Sequence, residues 1–472
     1  MTRTVVGLVR KDPDFLMYLY EPPHIDDAEE LVRFPYSADD QAPAAFAEGE
    51  DRMSEIGAYM MKALFEHPAI KQAILQQLTK ENHDSQPLLV RVPREAETLP
   101  WETLCAREGF LALDERWPIA RLCPFERDPT TTDFQPPLRV MALIAADDGP
   151  GCDWDKSEWR ALLGSLESAD FRVSVKALVA NPRLLEEIEA TDSTIVDVDA
   201  SHVGRRRDLI QAITDFEPNI LHFFCHGREV GGRPSLQIGT RGSINKVTPA
   251  LTFEAADIPT QNASELWLVL LNCCGSAAAN HSVGSFAFTL VDDGVPAVVG
   301  MRQEVEVTHA NAFTESFYEV LVGKLSKSLK RFNEEVEIEW PAMMHKPRMA
   351  IAEMCAGEDG ARVGAESSRE WTLPALYLAH RSHRLIGRPP PADTPPTGPV
   401  TSKLPPSLLT NRLARRLRGP TAPTISDEDR AYAETKLAVL RELESQGPGM
   451  PSGALDALRA ESKKLERMLY GA

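Results

Sequence analysis

LHFFCHG (Leu221–Gly227) and LWLVLLNCCGS (Leu266–Ser276) decide how this chain is read. Each is an apolar run that reads as a strand buried on both faces. Each also ends in a side chain able to do chemistry: His226 stands directly before Gly227, and Cys273 and Cys274 directly before Gly275. That is the layout of a cysteine nucleophile and its base.

The elements around them follow one rhythm. From Leu138 onward, strand-like runs at 138–146, 172–179 and 193–200 alternate with helical patterns at 155–169, 182–190 and 205–216. After the first reactive run come a hairpin segment SLQIG (235–239) and a helix-like LTFEAADI (251–258). After the second come a helix at 286–291, a strand at 296–301 and a helix at 310–325. Continuous apolar strands alternating with helices predict an α/β fold with a mainly parallel sheet covered on both faces. Catalytic groups in such sheets gather at the carboxyl ends of the strands, where His226 and Cys274 fall.

The first 130 residues are also α/β in character. Short strands are expected at 3–9, 16–20, 31–34 and 88–92, with a long amphipathic helix over 51–78 broken near Pro68. Leu99, Trp101 and Leu104 begin a short buried helix, and 110–113 and 119–122 are candidate strands. A further strand is expected around 370–378. Residues 388–424 are Pro-rich and read as an extended linker. Beyond it, two short helices separated by GPGMPSG cannot bury much core alone, so docking or dimerisation is expected of them.

A free thiol is only a few per cent ionised at neutral pH, so a hydrolytic cysteine needs an adjacent base. Among eleven histidines, His226 alone combines the end of an apolar strand with a following glycine and a place beside the cysteine strand. His222 sits inside the strand and is expected to be a buried hydrogen-bonding residue. The backbone N–H of Gly227 is suited to a developing oxyanion, where a donor contributes ~2.7–4 kcal/mol. A lone core cysteine is usually a small buried hydrophobe, and a lone histidine beside an apolar run is usually structural. The two together, each at a strand end and in this order, favour the functional reading.

Other chemistries fit less well. Cys225, His226, Cys273 and Cys274 resemble a zinc set, but vicinal cysteines on an extended backbone point to opposite faces and no C-x2-C spacing exists, so no metal is expected. G-x-x-x-x-G-K-[ST], G-x-G-x-x-G after a strand, and G-x-S-x-G are all absent. No cofactor is expected.

Composition narrows the class further. With 43% apolar residues and a formal charge of −19, the chain is an ordinary globular one and a poor match to nucleic acid. Residues 401–472 carry 12 Lys+Arg and 9 Asp+Glu, a net +3, so that tail is suited to docking on an acidic surface if it is more than a solvated helix face. No run approaches a membrane span, and MTRTVVGLVRKDPDF lacks a signal peptide's h-region. Seven cysteines without framework spacing point to reduced thiols, and the cytoplasm is the expected compartment.

Taken in order, LPWETL with GFLAL, PLRVMALIAA, NILHFFCHG, SLQIG, LWLVLLNCCGSAA and GVPAVVGMR followed by ANAFTESFYEVL resemble a CHAT domain, of the caspase-like clan that includes metacaspases and separases. The order agrees too: Cys274 lies 48 positions after His226, against about 50 in caspases. The resemblance implies a caspase-like peptidase domain over 131–387. Around it stand an N-terminal α/β region (1–130) that is pseudo-protease-like or regulatory, a linker (388–425) and a helical tail (426–472). It implies His226 and Cys274 as a dyad, with Cys273 in the family's small-residue slot, and the backbone N–H groups of Gly227 and Cys274 as oxyanion donors. Two residues before the nucleophile, where basic-specific relatives carry an acid, stands Asn272, which argues for a neutral P1 residue; Asp292 and Asp293 are candidates to bring charge to the cleft. The implied protein is a cysteine endopeptidase, a gated effector in a bacterial defence or programmed-death system. Its partners would be a protein substrate encoded nearby and an activating sensor, with gating acting through residues 1–90 or the tail. The alternative is a catalytically silent CHAT scaffold serving as an interaction module.

Overall fold

The computed structural model of the chain describes residues 3–11, 14–20, 31–37, 53–78, 85–106, 109–123, 130–146, 153–260, 265–278, 285–356, 368–380 and 383–389. The tail expected over 426–472, and all but the first two residues of the linker expected over 388–425, lie outside them.

Twelve strands form one sheet. In chain order they are β1 (Thr4–Lys11), β2 (Asp14–Leu19), β3 (Val32–Ser37), β4 (Leu88–Arg91), β7 (Ile119–Leu122), β9 (Leu138–Ile144), β10 (Val173–Val179), β11 (Val196–His202), β12 (Ile220–Phe224), β16 (Leu268–Leu271), β17 (Ala297–Met301) and β19 (Pro374–Leu378). The remaining strands form small sheets: β5 (Cys105–Ala106) with β6 (Gly109–Phe110); β13 (His226–Val230), β14 (Arg233–Ile238) and β15 (Leu251–Glu254); and β8 (Thr130–Phe134), β18 (Glu335–Ile338) and β20 (His383–Gly387). The spatial order of the large sheet is β11-β10-β9-β12-β16-β17-β19-β7-β4-β1-β2-β3.

From β11 to β17 every pairing is parallel. β19 then pairs antiparallel with β17, and β7, β4 and β1 continue parallel to β19. Two parallel blocks of opposite sense therefore meet at a β17/β19 seam, and β2 and β3 close the far side as an antiparallel meander. The sheet crosses residue 130 without a break, because β4 and β7 from the N-terminal region join it to β19.

Continuous apolar runs are what a doubly covered sheet requires, and the burial shows it. Along β9, Val140, Ala142 and Ile144 enter one core while Met141 and Leu143 enter the other. The helices Trp154–Glu167 and Val307–Leu329 cover the first face through Trp159, Leu162, Phe313 and Phe317. The helices Arg206–Phe216 and Phe286–Asp292 cover the second through Leu209, Ile213, Phe286 and Leu290. The chain leaves β9 toward β10 and β11, then returns to β12 on the other side of β9. That reversal of strand order is where an open parallel sheet forms a crevice.

Three readings need adjustment. LTFEAADI is not a helix: Leu251–Glu254 is β15, and only Ala255–Asp257 turns, as a 3-10 helix. Its period-two residue Phe253 pairs with Leu236 of β14 and is fully buried, so the neighbouring hairpin decided the backbone. Residues 110–113 give a two-residue bridge followed by a 3-10 turn, with Leu111 N–H donating to Leu104 O at 2.9 Å. His226 does not end β12; it opens β13.

Candidate active site

β12 and β16 are adjacent and parallel, with Phe223 opposite Leu271, an offset of 48 residues. The same offset carries Cys225 to Cys273 and His226 to Cys274. The ladder holds past the last paired residue: Asn272 N–H donates to Phe223 O at 2.9 Å, and the Cys225 and Cys273 Sγ atoms lie 3.3 Å apart. The 48-residue spacing is thus the register of two neighbouring strands.

Beyond this point the two chains part. β12 runs on into the β13–β14 hairpin, while residues 273–277 turn back, with Gly275 at φ +66°, a left-handed conformation that favours glycine. Ser276 pins the turn: its Oγ donates to Leu271 O at 3.1 Å and accepts from Met301 N–H at 2.9 Å. Ala277 N–H donates to Met301 O at 2.8 Å, and Gly275 N–H to Gln303 O at 3.1 Å. Gly227 then closes against the turn. A Cβ built on it would stand 1.8 Å from the Cys274 carbonyl oxygen and 3.0 Å from its carbon. Only glycine lets the His226 segment lie this close to the backbone of Cys274.

The vicinal thiols have different surroundings. Cys273 is fully buried, and burial, with Cys225 beside it, pushes its thiol well above the ordinary range. It is chemically quiet. Cys274 is half-buried at the turn, and burial raises its thiol too, with smaller upward contributions from Cys273 and Glu304. The Val305 backbone N–H acts the other way, stabilising the thiolate. Because the pKa is raised, the thiolate fraction at neutral pH is smaller than for an exposed cysteine and grows with pH. Alkylation of Cys274 by iodoacetamide should therefore be slower at pH 7 than that of a model thiol, and should still be climbing above about pH 8.5, the ordinary cysteine value. Mass-mapped rates across pH would check this; a plateau below pH 7 would contradict it.

Beneath the turn lies a polar group that strand reading alone does not reveal. Asn272 is 3% exposed, and its amide donates to Glu158 Oε1 (3.0 Å), Ala310 O (3.1 Å) and Thr314 Oγ1 (3.1 Å). Thr314 donates to the same Glu158 oxygen at 2.6 Å. His222 Nε2 lies 2.9 Å from it, at ion-pair distance but off the line of a good hydrogen bond, and its Nδ1 faces Tyr318 Oη at 3.3 Å. His222 and Glu158 are both fully buried. A sequence signal for Glu158 existed: it falls on the buried stripe of its helix with Asp155, Trp159, Leu162 and Leu166. An acid at such a position needs partners.

This corrects the expectation for Asn272, whose amide is committed to the interior rather than presented to a substrate. Asn272→Asp should therefore not create a basic-residue pocket. It would place a second carboxyl group beside Glu158, raising its folded pKa above the unfolded value near 4. The penalty is small where that group stays protonated and grows as pH rises. A loss of roughly 2–3 kcal/mol is expected at pH 8, shrinking toward pH 5. Denaturation at the two pH values would check it.

Asp292 and Asp293 are also misplaced by sequence reasoning. They end the helix that returns to the start of β17, at the level of Leu268 rather than Leu271. Asp292 Oδ2 is 3.9 Å from Arg94, and Cys123 Sγ is 3.7 Å from its Oδ1, beside the start of β17. Cys274 follows the opposite, carboxyl end of β16. The helix thus leaves both acids toward the end of the sheet away from the 273–277 turn.

Among the described residues no group of three or more His, Cys, Asp or Glu side chains is arranged to hold a metal, and no helix is long and apolar enough to cross a membrane. A nucleophile-capable thiol, an imidazole on the neighbouring strand and a turn of backbone amides are chemistry enough for acyl transfer. No curated protein matches the chain. The CHAT domain model matches residues 58–331, which include both reactive strands and more than half of the sequence. The chain therefore belongs to the CHAT-domain family, which includes caspase-like cysteine peptidases.

Proposed function

We propose that this protein is a cytoplasmic cysteine endopeptidase in which Cys274 is the nucleophile and His226 its partner. The observation that carries the reading is that Gly227, directly after His226, packs on the Cys274 backbone just beyond the paired ends of β12 and β16. In the reaction, Cys274 Sγ attacks the scissile carbonyl carbon while its proton passes to His226. The oxyanion is held by the N–H groups of Gly227 and Cys274. His226 then gives its proton to the leaving amine, and water hydrolyses the thioester to regenerate the thiol. The physiological setting we infer is that of a gated effector in a bacterial defence or death system, cutting a protein encoded nearby when a sensor engages it.

A peptidyl acyloxymethyl ketone tests the assignment without knowledge of the substrate. Such a reagent needs both a thiolate and a peptide-binding cleft, so it should modify Cys274 alone and do so faster than iodoacetamide. Modification that maps to another cysteine would remove Cys274 from the role. No modification under any condition that leaves the protein folded would favour a silent scaffold.

A further inference from the structure

The hairpin that starts at His226 carries a cavity. In strands alternate side chains share a face, so His226, Arg228 and Val230 of β13 lie together. By register they share that face with Gln237 and Ser235 of β14, and beyond these with Thr252 of β15. The opposite face, with Leu236 and Phe253, is buried in the core. Arg228, Val230, Ser235, Gln237 and Thr252 line a cavity of about 380 Å³, and Leu236, Lys246 and Thr248 are also among its lining residues. Its charged lining residues are Arg228 and Lys246, both cations, in a chain of net charge −19. Glu254, the carboxylate brought nearest by register, is turned to Arg233 at 4.0 Å. The Thr248 hydroxyl is buried without a hydrogen-bond partner among the described residues.

We propose that this cavity is a substrate subsite that receives an anionic side chain of the polypeptide being cut. Arg228 and Lys246 would meet the charge, and Thr248 Oγ1 would supply a hydrogen bond. The inference rests on the peptidase reading above and adds a substrate class to it. Three features favour a side chain on an extended peptide over a free anion. The cavity lies on the face that carries His226; Arg228 is two positions along, ~7 Å from it; and β13 is an edge strand of its sheet, the element to which an extended segment adds. At ~3.3 Å per residue, the anionic side chain falls about two to four residues from the scissile bond. The shared chemistry is a carboxylate or a phosphoryl group.

The test is a synthetic peptide library with Asp, Glu, phosphoserine, Asn or Lys at each position flanking a cut site, its products read by mass spectrometry. An anion at one fixed position should raise kcat/KM roughly tenfold over Asn. Aspartate and glutamate against phosphoserine tells which anion the site takes. In the doubled variant Arg228→Glu with Lys246→Glu, both changes being at exposed positions, the preference should invert toward Lys. An unaltered preference in that variant, or none in the wild type, would overturn the subsite. If the wild type cuts nothing, because its gate is closed or because the peptidase reading fails, fluorescence anisotropy of the same peptides on Cys274→Ala decides the subsite independently. Binding of acidic peptides that is lost on charge reversal sustains it, and no binding ends it.

Discussion

Cys274→Ala is expected to leave a folded protein that cleaves nothing, with kcat/KM lowered by ~10⁴ or more, the scale seen when a covalent nucleophile is removed. The substitution is structurally mild. Cys274 is half-exposed on a turn held by Ser276, Gly275 and Ala277 through backbone and hydroxyl hydrogen bonds that do not involve its sulfur. The informative partner is Cys273→Ala. Cys273 is 1% exposed, touches Cys225 and donates weakly to Phe223 O at 3.5 Å, so it behaves as a small core residue. Its removal should cost about 1 kcal/mol of stability and change kcat/KM by no more than about threefold. Measuring both variants on one peptide substrate separates the thiols. If Cys273→Ala were the silent variant and Cys274→Ala the active one, the assignment would be reversed.

Gly227→Ala should be nearly as damaging, through backbone geometry alone. The added methyl would stand 1.8 Å from Cys274 O and 3.4 Å from Ser276 N, and the atom it strikes is backbone that cannot swing aside. Either β13 or the 273–277 turn must shift, and both are tied into sheets. A displacement of about 1 Å between reacting groups costs ~10²-fold in rate, so kcat/KM should fall at least that far. The accompanying loss of stability should be about 1–3 kcal/mol, as for other overpacked sites. Gly323→Ala is the control: it lies in the helix Val307–Leu329 with nothing within 4 Å of the added atom. That change should stabilise by roughly 0.5–1 kcal/mol. Thermal melts and peptide kinetics on the pair distinguish a steric effect at the site from a general effect of removing glycine.

What could be read from the residues was whatever depends on one strand and its neighbour. Buried parallel strands announce themselves as continuous apolar runs, which is why β12 and β16 and their parallel pairing follow from the residues alone. What could not be read depends on which surfaces come together. Asn272 has the same local sequence whether it faces a substrate or a core; the helices Trp154–Glu167 and Val307–Leu329 bring Glu158 and Thr314 under it and decide the matter. Asp292 and Asp293 follow Cys274 closely along the chain, yet an intervening helix returns them toward the start of β17. The stretch 251–258 carries apolar residues compatible with two periods, and only the presence of β14 alongside selects the strand. The cavity beside Arg228 was invisible for the same reason, since its walls come from β13, β14, β15 and the segment around Lys246.

The β17/β19 seam bears on how the chain reaches this state. The strands that position residues 226 and 274 are complete once β17 has been synthesised, but their outer neighbour β19 spans 374–378 and in turn pairs with β7 at 119–122. A ribosome-bound chain that has not yet passed residue 378 carries β17 as an uncapped apolar edge, the template on which strands of other chains add. Pairings between segments this far apart in sequence also form slowly. The same seam that joins the two halves of the sheet thus makes a truncated or stalled chain prone to aggregation.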